Sequence, residues 1–114
     1  MTKNKMLGFD IGGTNLRAGV IENGSVLSIY HEPIGDQFDE QGTINQVIKL
    51  ISLAMSPGIV SIGVGVPSVV DLKTGVVYDT VNIPSWKEVP LKDILEEKFG
   101  IPVLINNDAN CFVL

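Results

Sequence analysis

Residues Gly8 to Val20, reading Gly-Phe-Asp-Ile-Gly-Gly-Thr-Asn-Leu-Arg-Ala-Gly-Val, join two apolar runs through a pair of adjacent glycines. Met6, Leu7 and Phe9 stand before the pair, and Leu16, Ala18 and Val20 follow it at a period of two, the spacing of a half-buried strand rather than a helix. The chain therefore opens on a strand, a tight turn and a second strand. Two common glycine-rich nucleotide loops are excluded, because a P-loop needs Gly-Lys-Ser/Thr opening a helix and a dinucleotide loop needs Gly-x-Gly-x-x-Gly opening a helix. Gly12 and Gly13 carry no Cβ and can take positive φ, so the turn can offer its N–H groups, with the Thr14 hydroxyl, to an anionic oxygen at close range. Asp10, at the end of the first strand, can hold the water shell of a magnesium ion accompanying phosphates. The same residues equally make a plain hairpin without a ligand, since Gly-Gly is an ordinary two-residue turn.

With 114 residues the chain suits one domain, and 45% hydrophobic against 18% charged residues gives a core-forming composition rather than a disordered one. A net charge of −5 argues against a nucleic-acid partner, which asks for a basic face. The single cysteine, Cys111, excludes an internal disulfide or a cysteine-cluster metal site within these residues, suits a reducing compartment and reads as a small buried residue. The apolar stretch behind Lys3 and Lys5 is cut by Asp10 and the glycines, too short for a signal peptide, and no run is long enough to span a membrane. A cytoplasmic protein is expected.

Asn23-Gly24 is a hairpin turn leading into a third strand with Val26, Leu27, Ile29 and Tyr30. After a polar stretch from Pro33 to Gly42, Thr43 and Gln46 have the spacing of a capping box, followed by Ile44, Val47, Ile48, Ile51 and Met55 on a helix that stops before Pro57. Ile59 to Val66 reads as a buried strand, and Val69–Val70 and Val76–Tyr78 flank the turn Asp71-Leu72-Lys73-Thr74-Gly75, in which Asp71 starts the turn and Gly75 supplies positive φ. A second helix has Pro90 at its first position, Leu91, Ile94, Leu95 and Phe99 on its buried face, and Gly100 at its end, with Glu96 and Glu97 on a solvated face. Val103 to Ile105 is the last strand, and a further helix is predicted to open at Asn107. The order β-β-β-α-β-α-β makes a mixed-sheet α/β architecture with a three-stranded antiparallel meander and βα crossovers. His31 reads as a surface residue near a strand end, and Trp86 either as a packing residue on a loop with its N–H satisfied or, with no stronger support, as a ligand contact.

Three further segments follow strands or lie in loops: Gly63-Val64-Gly65-Val66-Pro67-Ser68, Asn82-Ile83-Pro84-Ser85-Trp86 and Asn106-Asn107-Asp108-Ala109-Asn110. Ligands of open α/β sheets collect beyond the carboxyl ends of the strands, so Asp10, Gly65 and Asp108 can face one cleft. On its own, Asn107-Asp108 also serves as a helix amino-terminal cap. Taken in order with Asp-Ile-Gly-Gly-Thr and the Val-Asp-Leu-Lys-Thr-Gly-Val-Val hairpin, these segments make the whole chain resemble the amino-terminal half of the ROK family of sugar kinases and sugar-responsive repressors, within the actin-like ATPase superfamily with its ribonuclease H-like lobes.

The resemblance implies that Gly8, Phe9, Asp10, Ile11, Gly12, Gly13, Thr14 and Asn15 bind ATP phosphates, with Asp10 meeting Mg²⁺ only through water. It implies that Asp108 is the catalytic base, that Asn107 and Asn82 bind sugar hydroxyls, and that Gly65 lines the sugar pocket. Asn15 stands where the family often has lysine, and Ser68 where glycine is usual after the proline. By the same likeness, which also allows a homo-oligomer, residues 1–114 are the first lobe of a two-lobe kinase that passes the γ-phosphoryl of ATP to a hexose or N-acylhexosamine. The second phosphate loop, the adenosine pocket and any zinc site are expected beyond this sequence, and the 114 residues alone are expected not to turn over ATP. The alternative is the sugar-sensing lobe of a ROK-type regulator. Such regulators carry a helix-turn-helix ahead of the phosphate segment, whereas here the first strand begins within a few residues of Met1, which favours the kinase.

Overall fold

The computed structural model describes residues 5–12, 14–35, 39–66, 69–78, 83 and 86–106. Strands β1 (Lys5–Ile11), β2 (Asn15–Glu22) and β3 (Ser25–Pro33) form the expected meander, with Asn23 at φ 54° and Gly24 at φ 78° in the turn between β2 and β3. Helix α1 (Glu40–Ala54) crosses to β4 (Ile59–Gly65), and α2 (Leu91–Phe99) crosses to β8 (Val103–Asn106). The main sheet runs β3-β2-β1-β4-β8; β1 pairs antiparallel with β2 and parallel with β4, and β4 pairs parallel with β8. Both crossovers therefore return to the same sheet, as the order of elements predicts.

Residues in register share a face of a sheet. One face carries Leu7, Phe9 and Ile11 of β1, Leu16, Ala18 and Val20 of β2, Ile62 and Val64 of β4, and Val103 and Ile105 of β8, all buried. Helix α1 covers it with Ile44, Val47, Leu50, Ile51 and Ala54, an i, i+3, i+4, i+7 stripe, and α2 adds Leu91 and Leu95. The α2 C-cap is Gly100 in the left-handed conformation, as expected, while Pro90 is the residue before the helix rather than its first.

Three further details differ from the sequence reading. The N-cap of α1 is Asp39, whose side chain accepts from Gln41 N at 3.1 Å, so the helix begins three residues before Thr43. Gln46 is not half of a capping box; its amide reaches the Pro33 carbonyl at 2.7 Å and Glu32 at 2.9 Å, tying α1 to the end of β3. The hairpin of β5 (Val69–Val70) and β6 (Val77–Tyr78) is extended by β7 (Glu88–Val89) into a separate three-stranded sheet, and a two-residue strand has no period to read.

That hairpin turns as expected: Asp71 Oδ1 accepts from Lys73 N at 2.9 Å, and Gly75 has φ 70°. A Cβ on Gly75 would collide with the Lys92 side chain at the start of α2. Gly75→Ala is expected to cost about 2 kcal/mol from the left-handed backbone and the overlap. Urea unfolding should show a lowered midpoint at unchanged slope; an unshifted midpoint would contradict the tight hairpin-to-helix contact.

Candidate functional site

The parallel pairing of β1, β4 and β8 brings their carboxyl ends to one edge of the sheet. Asp10 is in register with Gly65, and Gly65 with Asn106, while Asp10 also pairs with Arg17 across the β1–β2 hairpin. Arg17, Asp10, Gly65 and Asn106 thus form one row on the sheet face opposite α1. Pairing continues to the rim, where Val66 N donates to Asn106 O at 2.9 Å. With neighbouring strands about 4.8 Å apart, Asp10 and Asn106 are about 10 Å apart across that row.

The turn between β1 and β2 stands at the same edge. Gly12 N donates to Asn15 O at 2.9 Å, and Ile34 N to Thr14 O at 2.9 Å, which anchors the turn on both sides. The φ of Gly12 lies outside the left-handed region, contrary to the use expected for it; a Cβ there would sit 3.2 Å from Asn15 O, a tight contact that glycine avoids. Asn15 Nδ2 donates to Thr14 Oγ1 at 2.9 Å. A hydroxyl that accepts in this way keeps its own proton to donate outward. Thr14 is exposed and able to do so.

Asp10 is the chemically unusual member. It is 8% exposed, and its Oδ1 has no hydrogen-bond partner among the described residues. Burial pushes its carboxyl above the usual carboxylate range, and the Arg17 charge opposes that shift. A buried carboxylate oxygen left without a donor fits a group that arrives from outside, and a hydrated cation is such a group. Among the described residues no cluster of three or more His, Cys, Asp or Glu side chains exists. That donor set suits Mg²⁺, which keeps several waters and takes one or two carboxylates plus substrate phosphates.

Of the residues singled out from the sequence, Asp10, Gly12, Thr14, Asn15 and Gly65 come together at this edge. Phe9 and Ile11 send their side chains into the core, leaving only their backbone for a ligand, and Gly8 lies two residues down the strand, paired with Gly19 and Gly63. Gly13, Asn82, Asn107, Asp108 and Cys111 lie outside the described residues. Arg17 and Asn106 belong to the row although the sequence reading gave them no role; only the strand register reveals them. His31 is exposed, as expected. Trp86 is fully buried, yet its indole N–H has no partner among the described residues, so the expected satisfied N–H is not found there. Glu96 is not merely solvated: its Oε2 accepts from Val103 N at 3.0 Å and so fixes the start of β8.

Comparison with known proteins adds three findings. The ROK family model matches residues 6–114. Over its full length the chain is 34% identical to a glucokinase of Thermotoga maritima, covering 37% of that protein. Its fold superposes with a TM-score of 0.82 on a ROK family glucokinase from Streptomyces griseus solved in complex with glucose and AMPPNP, at 32% identity, covering 94% of this chain and 34% of that one. Half of the chain also matches a putative xylose repressor from a Caldicellulosiruptor species at 46% identity over 57 residues, or 14% of that protein. The chain spans about a third of the length of the glucokinases it matches. Among the described residues no helix is long and apolar enough to cross a membrane.

Proposed function

The chain belongs to the ROK family, and from that premise we propose that residues 1–114 are the amino-terminal lobe of a two-lobe, ATP-dependent sugar kinase that phosphorylates a hexose or N-acylhexosamine hydroxyl. The observation that carries the proposal is the row of strand ends, in which Asp10, with one carboxylate oxygen unpartnered among the described residues, an anchored glycine turn and the strand leading to Asp108 share one edge.

Phosphoryl transfer asks the protein mainly for positioning and charge neutralisation. The Gly12 to Asn15 turn holds phosphate oxygens through backbone N–H groups and the Thr14 hydroxyl, which Asn15 orients. Asp10 holds the water shell of Mg²⁺, and the ion, when bound, neutralises phosphate charge. Asp108 accepts the proton of the attacking sugar hydroxyl. Asn107 and Asn82 bind neighbouring hydroxyls without adding negative charge beside the phosphates, and Gly65 leaves the pocket floor open. The lobe alone supplies neither an adenosine pocket nor a second phosphate loop, so the isolated chain is inactive on this reading.

The repressor likeness supports a second reading, a sugar-sensing lobe of a regulator. Coupled ADP release by the full-length protein against a panel of hexoses and N-acylhexosamines separates the two. At least one sugar should stimulate release well above the sugar-free rate; sugar binding with no stimulated release would favour the regulator, and neither binding nor release would sink both.

A further inference from the structure

The glycine turn is backed by a segment that the sheet does not finish by itself. Within the hairpin, Gly12 N bonds Asn15 O; from outside, Ile34 N donates to Thr14 O at 2.9 Å, one residue beyond the last β2–β3 pair, Asn15 with Pro33. Hydrogen bonds at a ladder end open more readily than those in its middle. What steadies residues 33–35 therefore decides how firmly Thr14 is held.

Backbone groups alternate along an extended segment, so with the Ile34 N–H turned to β2, the Pro33 carbonyl and the Gly35 N–H turn away from it. Among the described residues no strand pairs on that side. Gln46 of α1 takes both groups: its Nε2 donates to Pro33 O at 2.7 Å, and its Oε1 accepts from Gly35 N at 2.9 Å. A residue of a parallel strand would bracket Ile34 with its own N–H and C=O in the same way. Nε2 also donates to Glu32 Oε1 at 2.9 Å, which uses both hydrogens of the amide. The clamp has a fixed base, because Ile44, Val47, Leu50 and Ile51 on the same helix are buried against the sheet. The neighbouring Lys49–Glu32 contact, at 4.0 Å with Lys49 68% exposed, adds little.

We propose that Gln46 is a positioning residue for phosphate binding: it clamps residues 33–35, so that the Ile34 amide holds the Thr14 carbonyl and the Gly12 to Asn15 turn keeps the shape that meets phosphate oxygens. Gln46 touches no ligand and acts only through Ile34 and Thr14. Helix α1 packs mainly on β2 and β3, whereas Gly65, Asn107 and Asp108 belong to β4 or follow β8 in sequence. Loss of the clamp should therefore be felt by the nucleotide and not by the sugar. The nucleotide part rests on the kinase reading; the clamp on the turn does not.

The test uses the full-length protein with two substitutions. Gln46→Leu keeps the bulk and removes all three hydrogen bonds; Gln46→Glu keeps the acceptor for Gly35 N but brings no donor to the Pro33 and Glu32 oxygens, and it carries the test if the leucine variant does not fold. Asn45→Ala, which removes an exposed side-chain hydrogen bond to Gln41 on the same helix, is the control. Hydrogen exchange read by mass spectrometry on peptides carrying Ile34 should be at least tenfold faster in both Gln46 variants. In sugar-dependent ADP release the KM for ATP should rise about tenfold, the scale of one or two lost hydrogen bonds, with the KM for the sugar within twofold of the parent. Asn45→Ala should move neither. A merely structural role would lower kcat through the folded fraction and leave both KM values where they were. A parent that neither binds AMPPNP nor releases ADP would end the kinase reading and the phosphate role together, and the exchange would then decide the clamp alone. With an active parent, unchanged exchange at Ile34, an unchanged KM for ATP, or an equal rise in both KM values would overturn the proposal.

Discussion

Asp108→Asn in the full-length protein is expected to lower the turnover of sugar-dependent ADP release about a thousandfold while leaving the sugar's dissociation constant within a few-fold. General base catalysis by a positioned carboxylate contributes roughly 10²–10⁴, so the loss corresponds to about 4 kcal/mol of transition-state stabilisation. Asn keeps the shape and the hydrogen bonding of the site but cannot take the proton from the attacking hydroxyl. Residue 108 is proposed as the base from its match to the family's Asn-Asp-Ala-Asn segment. Strand β8 is in register with β4 as far as Asn106, beside Gly65, and two further residues carry the chain at most about 7 Å. Near-parental turnover in the Asn variant would assign the base elsewhere.

Asp10→Asn is expected to split function from stability. The carboxyl is buried, one oxygen has no partner, and burial raises its pKa. A raised native pKa means that the folded state binds the proton more tightly than the unfolded state does. The penalty is thus absent below the unfolded value near 3.8, and it is fully present once the pH exceeds the folded value. Stability should rise as the pH falls through that window, in so far as Asp10 contributes. Asn carries no charge to desolvate, so the chain should gain about 1 kcal/mol at pH 7 and lose this part of its pH dependence. On the proposed kinase reading the same change in the full-length protein removes the anchor for hydrated Mg²⁺, and turnover should fall at least a hundredfold. Urea unfolding from pH 3.5 to 8 reads the first effect and ADP release the second. A variant less stable at pH 7 than the parent would show that Asp10 has an internal partner after all.

The main sheet was legible because its punctuation is local. Asn23-Gly24, Pro57, Pro90 and Gly100 each mark an element end by backbone chemistry that needs no tertiary context. The start of α1 was not legible: Asp39 and Thr43 are both competent caps four residues apart, and the choice falls to Asp39 because Gln46 is taken by Pro33, Glu32 and Gly35 across the fold. Strand β7 owes its existence to pairing with Val77 and Tyr78 rather than to any pattern of its own.

For the candidate site, the motifs gave Asp10, Gly12 and Gly65, but the row that also contains Arg17 and Asn106 is a property of register between strands far apart in sequence. Nothing in the residue order says that one Asp10 oxygen lacks a partner among the described residues or that Asn15 holds the Thr14 hydroxyl; both depend on where neighbouring backbone and side chains come to rest.

A co-crystal structure of the full-length protein with AMPPNP, Mg²⁺ and its sugar is the most direct measurement. The expected result has the nucleotide's phosphates against the Gly12 to Asn15 turn, a metal-bound water on Asp10, and the Asp108 carboxylate within about 2.6–3.2 Å of the sugar hydroxyl aimed at the γ-phosphate. Phosphates bound away from that turn, or an Asp108 carboxylate on the far side of the sheet from it, would contradict a shared site at the strand ends.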